Sequence, residues 1–455
     1  MMGKRQNESS VDCVRKAELS YHDVPPVQNS IEHEYYQDIS SESTTADART
    51  LEFNISGAEN VCIDPAKSYL KVLVRVLNND GTELHDTTEN LGGKVSVINN
   101  LLHSLFSTVE ISLNDIYVTR SYSNYPYKAF LQNLLTYSYD TMKIGFLYCD
   151  GWEPDETNKF EDADNKGAAG RRKMIAKRKC ELGAVLKCDL FQQHKLIPSQ
   201  VSMRIRCVRS NSNFVILDRH TAEANDAVTD TTNKGTYKVV IESAVFRAKK
   251  VQLTKTEELM QIQDFRIAPF QIPIRRSDVT VQTIGPGVRN FTIERLHEGQ
   301  LPRLVIIGLV NSQAYNNDQT LNPYMFSSYN VNSIQLFVNG VATPTRPFTP
   351  DFTNKNYVDS YLSLINAVGG WRTDHTPGSL SYADYGGGSC LYAFNITPDT
   401  NSNCSFVNAL RTGNLSCEIK FSAAVPKHAL NAIIYSEFDN NIYINESRQV
   451  TTDYQ

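Results

Sequence analysis

The stretch "VINNLLHSLFSTVEISLNDIYV", Val97 to Val118, decides how the chain is read. Its first part brings Asn100, His103 and Ser104 close together, as polar groups gather at a catalytic corner. Its second part alternates apolar and polar residues through Val109, Ile111 and Leu113 and then closes on Asn114-Asp115. Alternation of period two ending on such a dipeptide predicts a half-buried strand running into a hairpin turn. His103-Ser104 has no identifiable acid partner in the sequence. The pair therefore reads as a polar lead-in to a strand, and the stretch speaks for architecture before chemistry.

Reading outward, the same pattern recurs. "LEFNIS" (51–56) and "SYLKVLVRVL" (68–77) alternate, the second closing on the turn "NNDG". "VSMRIRCV" (201–208) and "YKVVIESAVFRAKKV" (237–251) continue it. Period-two segments separated by Asn, Asp, Gly and Pro predict an all-β sandwich. Helix is sparse. "YPYKAFLQNLLTY" (125–137) sets Tyr127, Phe130, Leu131, Leu134 and Leu135 at helical spacing, with Pro126 at an early helical position. "TKTEELMQIQ" (254–263) opens with Thr254-x-x-Glu257, which predicts a capping box on a connector helix.

The second half echoes the first. "EFNIS" followed by "KSYLKVLVRV" is answered by "NFTIERLHEGQLPRLVIIGLV" (290–310), and "VEISLND" by "IQLFVNG" (334–340). "YKAFLQNLL" is answered by "YVDSYLSLI" (357–365), and "CDLFQQ" with "VSMRIRC" by "YAFNITP" with "LSCEIKF". The order is kept throughout. Asn114-Asp115 and Asn339-Gly340 are thereby expected to be equivalent hairpin turns. The reading is two tandem jelly-roll β-sandwiches with few short helices in loops. The expected boundaries are an N-terminal arm over 1–45, a first jelly roll over 46–252, a connector over 253–270 and a second jelly roll over 271–455.

Bulk properties agree. The 455 residues are ample for two large cores, and 23 tyrosines with 19 phenylalanines suit pleated, half-buried surfaces. A net charge of −5 argues against a dedicated nucleic-acid binder, whose basic face raises the pI. No apolar run approaches the roughly 18 residues of a membrane span. The N-terminal "MMGKRQNESSVDCVRK" lacks the apolar core of a secretory signal. Nine scattered cysteines without a C-x-x-C read as free thiols of a reducing compartment.

The search for chemistry returns little. No zinc-type spacing, phosphate-binding loop or nucleophile elbow is present, so no catalytic, cofactor-binding or metal residues are expected and no cofactor is implied. "DYGGGSC" (384–390) reads as a loop. "NKGAAGRRKMIAKRK" (165–179) is the one strongly charged feature, with Lys166, Arg171, Arg172, Lys173, Lys177, Arg178 and Lys179. It reads either as an electrostatic contact to DNA or an acidic neighbour, or as a solvated loop neutralised by the upstream "EPDETNKFEDAD".

Taken together, "DVPPVQNSIEHEYYQDI", "LEFNISGAENVCIDPAKSYLKVLVRV", "VINNLLHSLFSTVEISLND" and "NYPYKAFLQNLLTY" resemble the major capsid proteins of Polinton (Maverick) elements and the related adintoviruses. "GQLPRLVIIGLVNSQAYN", "NPYMFSSYNVNSIQLFVNG", "LYAFNITPD" and "IIYSEFDN" extend the resemblance through the second half. It implies a double jelly-roll capsid protein and no enzymatic activity. Three chains would form a homotrimeric pseudo-hexagonal capsomer, and capsomers would tile an icosahedral shell around double-stranded DNA. The implied partners are other copies of the chain, penton and minor capsid proteins and the packaged DNA. The implied location is the virion, assembled in the host cytoplasm or nucleus. Residues 166–179 would then contact DNA or a minor capsid protein. The alternatives are a penton or minor capsid protein, disfavoured by the internal echo, a host-domesticated relative, and a carbohydrate-active β-sandwich with paired carboxylates.

Overall fold

The computed structural model describes residues 27–42, 48–84, 95–119, 124–138, 141–142, 145–162, 165–175, 179–218, 237–369, 380–399 and 407–454. In the first half, β1 (Ile31–Ser40), β3 (Val61–Asn78), β7 (Cys180–Ala184) and β10 (Tyr237–Leu253) form a sheet in the order β1-β10-β3-β7. Against it lies a second sheet of β2 (Thr50–Ile55), β5 (Phe106–Leu113), β6 (Ile116–Tyr117) and β8 (Met203–Arg209), ordered β2-β8-β5-β6. A small pair, β4 (Val95–Val97) with β9 (Ile216–Asp218), closes one end.

The second half repeats this plan. Strands β11 (Phe270–Ile284), β13 (Leu304–Asn311), β16 (Leu391–Asn395) and β18 (Leu430–Ile444) run β11-β18-β13-β16, with β19 (Val450–Thr452) beside β18. Strands β12 (Asn290–Gln300), β14 (Val331–Val338), β15 (Val341–Phe348) and β17 (Thr412–Phe421) run β12-β17-β14-β15. With the small β4–β9 pair and β19 set aside, both halves pair first with last, second with next-to-last, and so on inward in chain order. That is the connectivity of a jelly roll, present twice.

The cores follow from alternation. Every second residue of β10 is buried, placing Phe246 inside, where its ring meets Phe53 of the opposite sheet at 6.2 Å and Phe191 at 5.9 Å. In the second roll, His297 of β12 reaches across to Ser436 and Phe438 of β18. At β15 the sheet edge carries Pro344 and Pro347, which lack the donors needed to recruit another strand.

Three sequence expectations are corrected. Residues Ile31–Ser40, assigned to an arm, form the first strand of the first roll and pair with β10 through most of their length. Nearly all its side chains are exposed, so it carries no apolar alternation to announce it. The connector does hold a helix, Lys255–Ile267, but there is no capping box: the Thr254 hydroxyl donates to the carbonyls of Asn29 and Ser30 instead. The first-roll counterpart of "YAFNITP" is β7, while Asp189–Gln192 of "CDLFQQ" is a short 3-10 turn.

Candidate functional site

Asn100, His103 and Ser104 lie in and before a short helix, Leu101–Ser104, and all three are sealed from solvent. The Tyr125 hydroxyl accepts from the Lys187 backbone N–H at 3.1 Å and lies 2.8 Å from His103 Nδ1. The hydroxyl can still accept a second bond, so it is the carboxylate on the other side of the ring that sets the tautomer: Nδ1 accepts from Tyr125 and the ring proton sits on Nε2. That nitrogen faces the Asp150 carboxylate at 3.6 Å. The acid partner missing from the sequence pattern thus exists, 47 residues downstream. Burial lowers the His103 pKa, with Asp150 opposing, so the ring stays neutral near neutral pH.

Ser104 takes no part in a nucleophile–base pair. Its hydroxyl sits 2.9 Å from the Asn100 carbonyl, to which it donates, and 2.7 Å from the Tyr324 hydroxyl, from which it accepts. Tyr324 belongs to the second roll. The apparent catalytic corner is a buried polar clasp between the two halves. Among the described residues no group of three or more His, Cys, Asp or Glu side chains is arranged to hold a metal ion.

The clasp is one part of a longer seam built on the helix Tyr125–Thr136 of the first roll. Lys128 Nζ lies 2.7 Å from Asp189 Oδ1, and that oxygen also accepts from the Ser277 amide and hydroxyl of β11 at 3.2 and 2.9 Å. Gln132 donates to Ser277 Oγ at 3.0 Å and to the Tyr435 hydroxyl of β18 at 3.3 Å. Burial alone would lower the Lys128 pKa, but Asp189 holds it above the ordinary value. Beside these bonds Phe130 stacks on Tyr324 at 4.1 Å between centroids. The space left between the rolls at Lys128, Asp189 and Ser277 is about 30 Å³, room for a water rather than an organic ligand. The sequence signal for this seam was present: Lys128 and Gln132 stand four apart on a mostly apolar helix, and both are buried.

The basic segment is not one cationic surface. Lys166–Ile175 is a helix whose Arg171 is fully buried. Its guanidinium donates to the Val97 carbonyl at 2.8 Å, to the Glu153 carbonyl and to Asp155 Oδ1 at 2.6 Å. Asp155 in turn accepts from Asn322 of the second roll at 3.3 Å. Arg172 is also buried, donating to the Ala168 carbonyl at 3.3 Å. Lys166 pairs with Glu156 at 2.9 Å and Lys179 with Glu242 at 2.5 Å, and Lys173 is exposed. Lys177 and Arg178 lie outside the described residues. The helix spacing that turns Arg171 and Arg172 inward is invisible to a count of charges.

The two hairpin dipeptides occupy the same place in the strand order, joining β5 to β6 and β14 to β15. Asn114 and Asp115 have φ of 44° and 66°, Asn339 and Gly340 of 50° and 81°, so both central residues of each turn are left-handed. The first Asn does the same work in each. Asn114 Oδ1 accepts from the Ser202 amide at 2.8 Å, and Asn339 Oδ1 accepts from the Asn414 amide at 2.8 Å. Asn114 reaches further, donating to the Arg448 carbonyl of the second roll at 2.8 Å.

No family model matches the chain. An uncharacterized protein of Caenorhabditis elegans is 24% identical over 360 residues, covering 78% of this chain and 81% of its own length. Among solved structures, a chain of the Sputnik virophage particle superposes with a TM-score of 0.62 at 13% identity, over 99% of this chain and 94% of its own. The Faustovirus major capsid protein gives 0.60 at 11% identity, covering 94% and 92%. The mavirus major capsid protein gives 0.57 at 12% identity, covering 100% and 96%. These neighbours are the double jelly-roll capsid proteins of virophages and of a giant virus, relatives of the Polinton capsids that the sequence resembles. The chain, whose strand order repeats in its two halves, has the double jelly-roll fold of major capsid proteins.

Proposed function

We propose that the chain is a structural major capsid protein that assembles as a homotrimeric, pseudo-hexagonal capsomer of an icosahedral shell. The observation that carries this is the repeated sheet order, two complete jelly rolls in one chain held side by side by a buried seam. Two rolls per chain give six per trimer, so an object with three-fold symmetry fills a six-fold lattice position. A shell subunit of this kind needs rigid walls rather than a reactive pocket, and the polar groups gathered at His103 serve packing. Incorporation in the virion, partnership with penton and minor capsid proteins, and enclosure of double-stranded DNA belong to the same proposal. For the segment 166–179, the contact to DNA or a minor capsid protein would fall to its solvent-facing lysines, since Arg171 and Arg172 are inside.

Light scattering on the purified chain tests the reading. The expected mass is three times the 51.2 kDa of the chain, with hexagonal or triangular outlines in negative stain. A monomer at every concentration would overturn it.

A further inference from the structure

The two rolls are alike in strand order but not in what covers them. The outer face of β11 meets the first roll over Arg276–Val279, and residues 430–436 of β18 are buried on both faces. The outer face of the corresponding sheet, β1-β10-β3-β7, is open: along β10 the outward residues are only half-buried. The covering helices show the opposite asymmetry. In the first roll every residue of the helix from Tyr125 to Leu135 is buried. In the second, the helix Val358–Ala367 leaves Val358 53% and Leu362 38% exposed.

The alignment of "YKAFLQNLL" with "YVDSYLSLI" sets Lys128 against Val358 and Gln132 against Leu362. Gln132 bonds the sheet of the second roll directly, and Lys128 reaches it through Asp189, whose carboxylate also holds Ser277. Each chain therefore presents one used and one unused copy of the same helix-on-sheet contact, and the unused helix is apolar where it would touch.

We propose that the outer face of β1-β10-β3-β7 receives a second copy of this chain, which seats Val358 and Leu362 of its helix Val358–Ala367 there. The proposal rests on the capsomer reading and assigns its two contacting faces. The receiving face is built for it. A shallow depression of about 240 Å³ has half-buried Leu73 and Val245 on its floor and the ion pairs Lys71–Glu181 and Arg247–Asp38 on its rim. Two apolar side chains one helical turn apart fit the Leu73–Val245 floor, and the charged residues around it make a polar rim, as a protein interface has. The guanidinium of Arg247 also lies 5.7 Å from the rings of Tyr36 and Tyr69, the residue types that anchor interfaces. Helix and sheet sit on different rolls, so the contact is head-to-tail. Such a contact closes into a ring when its rotation allows.

The test is a Val245→Cys, Leu362→Cys double variant, with each single variant and the unmodified protein as controls. After mild oxidation the double variant is expected to run as a covalent trimer on a non-reducing gel, and the controls as monomers. Separately, Leu362→Asp and Val358→Asp are expected to lower the mass in solution threefold while circular dichroism and melting temperature stay unchanged. A trimeric native protein whose double variant stays uncrosslinked, or whose Asp variants stay trimeric, overturns this assignment and leaves the capsomer reading standing. A native protein that is monomeric throughout overturns both.

Discussion

His297 sits between the sheets of the second roll, with Nε2 2.7 Å from Ser436 Oγ and its ring edge-on to Phe438. Burial, helped by the nearby Arg276 guanidinium, pulls its pKa down from 6.5 to about 4. His103 in the first roll is lowered for the same leading reason. A base whose folded pKa lies below its unfolded value contributes stability that is complete above the unfolded value and is lost as pH falls through the folded one. Folding stability should therefore decline from about pH 6.5 toward about pH 4. At 1.36 kcal/mol per unit, His297 accounts for about 3 kcal/mol of that fall at most. Urea unfolding across this range should show a flatter profile for His297→Gln, and a profile as steep as the native one would sink the assignment. The His103 pair shows where reading stopped at this scale. The ring and its neighbour Ser104 are adjacent in sequence, but Asp150, Tyr125 and Tyr324 reach them through folding alone, and nothing in the local pattern points to residues that distant.

At the scale of elements, alternation made β3, β8 and β10 legible because one face of each meets a core and the other does not, while β5 alternates in sequence although both its faces are largely buried. The helix Tyr125–Thr136 was legible from its apolar spacing and Pro126. Strand β1 was not, since an edge strand with both faces mostly in solvent has no pattern to read. The turns were legible because left-handed backbone narrows the choice of residue. Gly340 has φ of 81° and no atom near the space a Cβ would take, so backbone conformation alone governs substitution there. Gly340→Val should cost about 1–2 kcal/mol, the penalty of a left-handed conformation for an ordinary L-residue. Gly340→Asn should cost clearly less, because Asn tolerates that region. Both are read from the midpoint of urea denaturation. Equal losses for Val and Asn would mean that the turn does not hold the φ described.

For the whole molecule, the question is whether the two rolls are two folding units, although their buried apolar residues form one continuous core. The seam argues for one. Ser277 and Tyr435 answer Gln132, Tyr324 answers Ser104 and Phe130, and Tyr454 donates to the Val118 carbonyl at 2.6 Å. Removing the first roll would uncover the outer face of β18 and expose its apolar side chains to water, at about 25 cal/mol for each Å² of apolar surface. The first roll would lose less, since the outer face of its own β10 sheet is already in solvent. Residues 271–455 expressed alone should therefore be insoluble or bind a hydrophobic dye strongly, and co-expression with residues 1–270 should restore a soluble complex. The intact chain should unfold in a single transition with coincident near- and far-ultraviolet circular dichroism. A soluble 271–455 fragment with its own sharp melt, or two separated transitions in the full chain, would show that the rolls are independent modules. The buried polar contacts between them would then be alignment devices rather than part of the fold's stability.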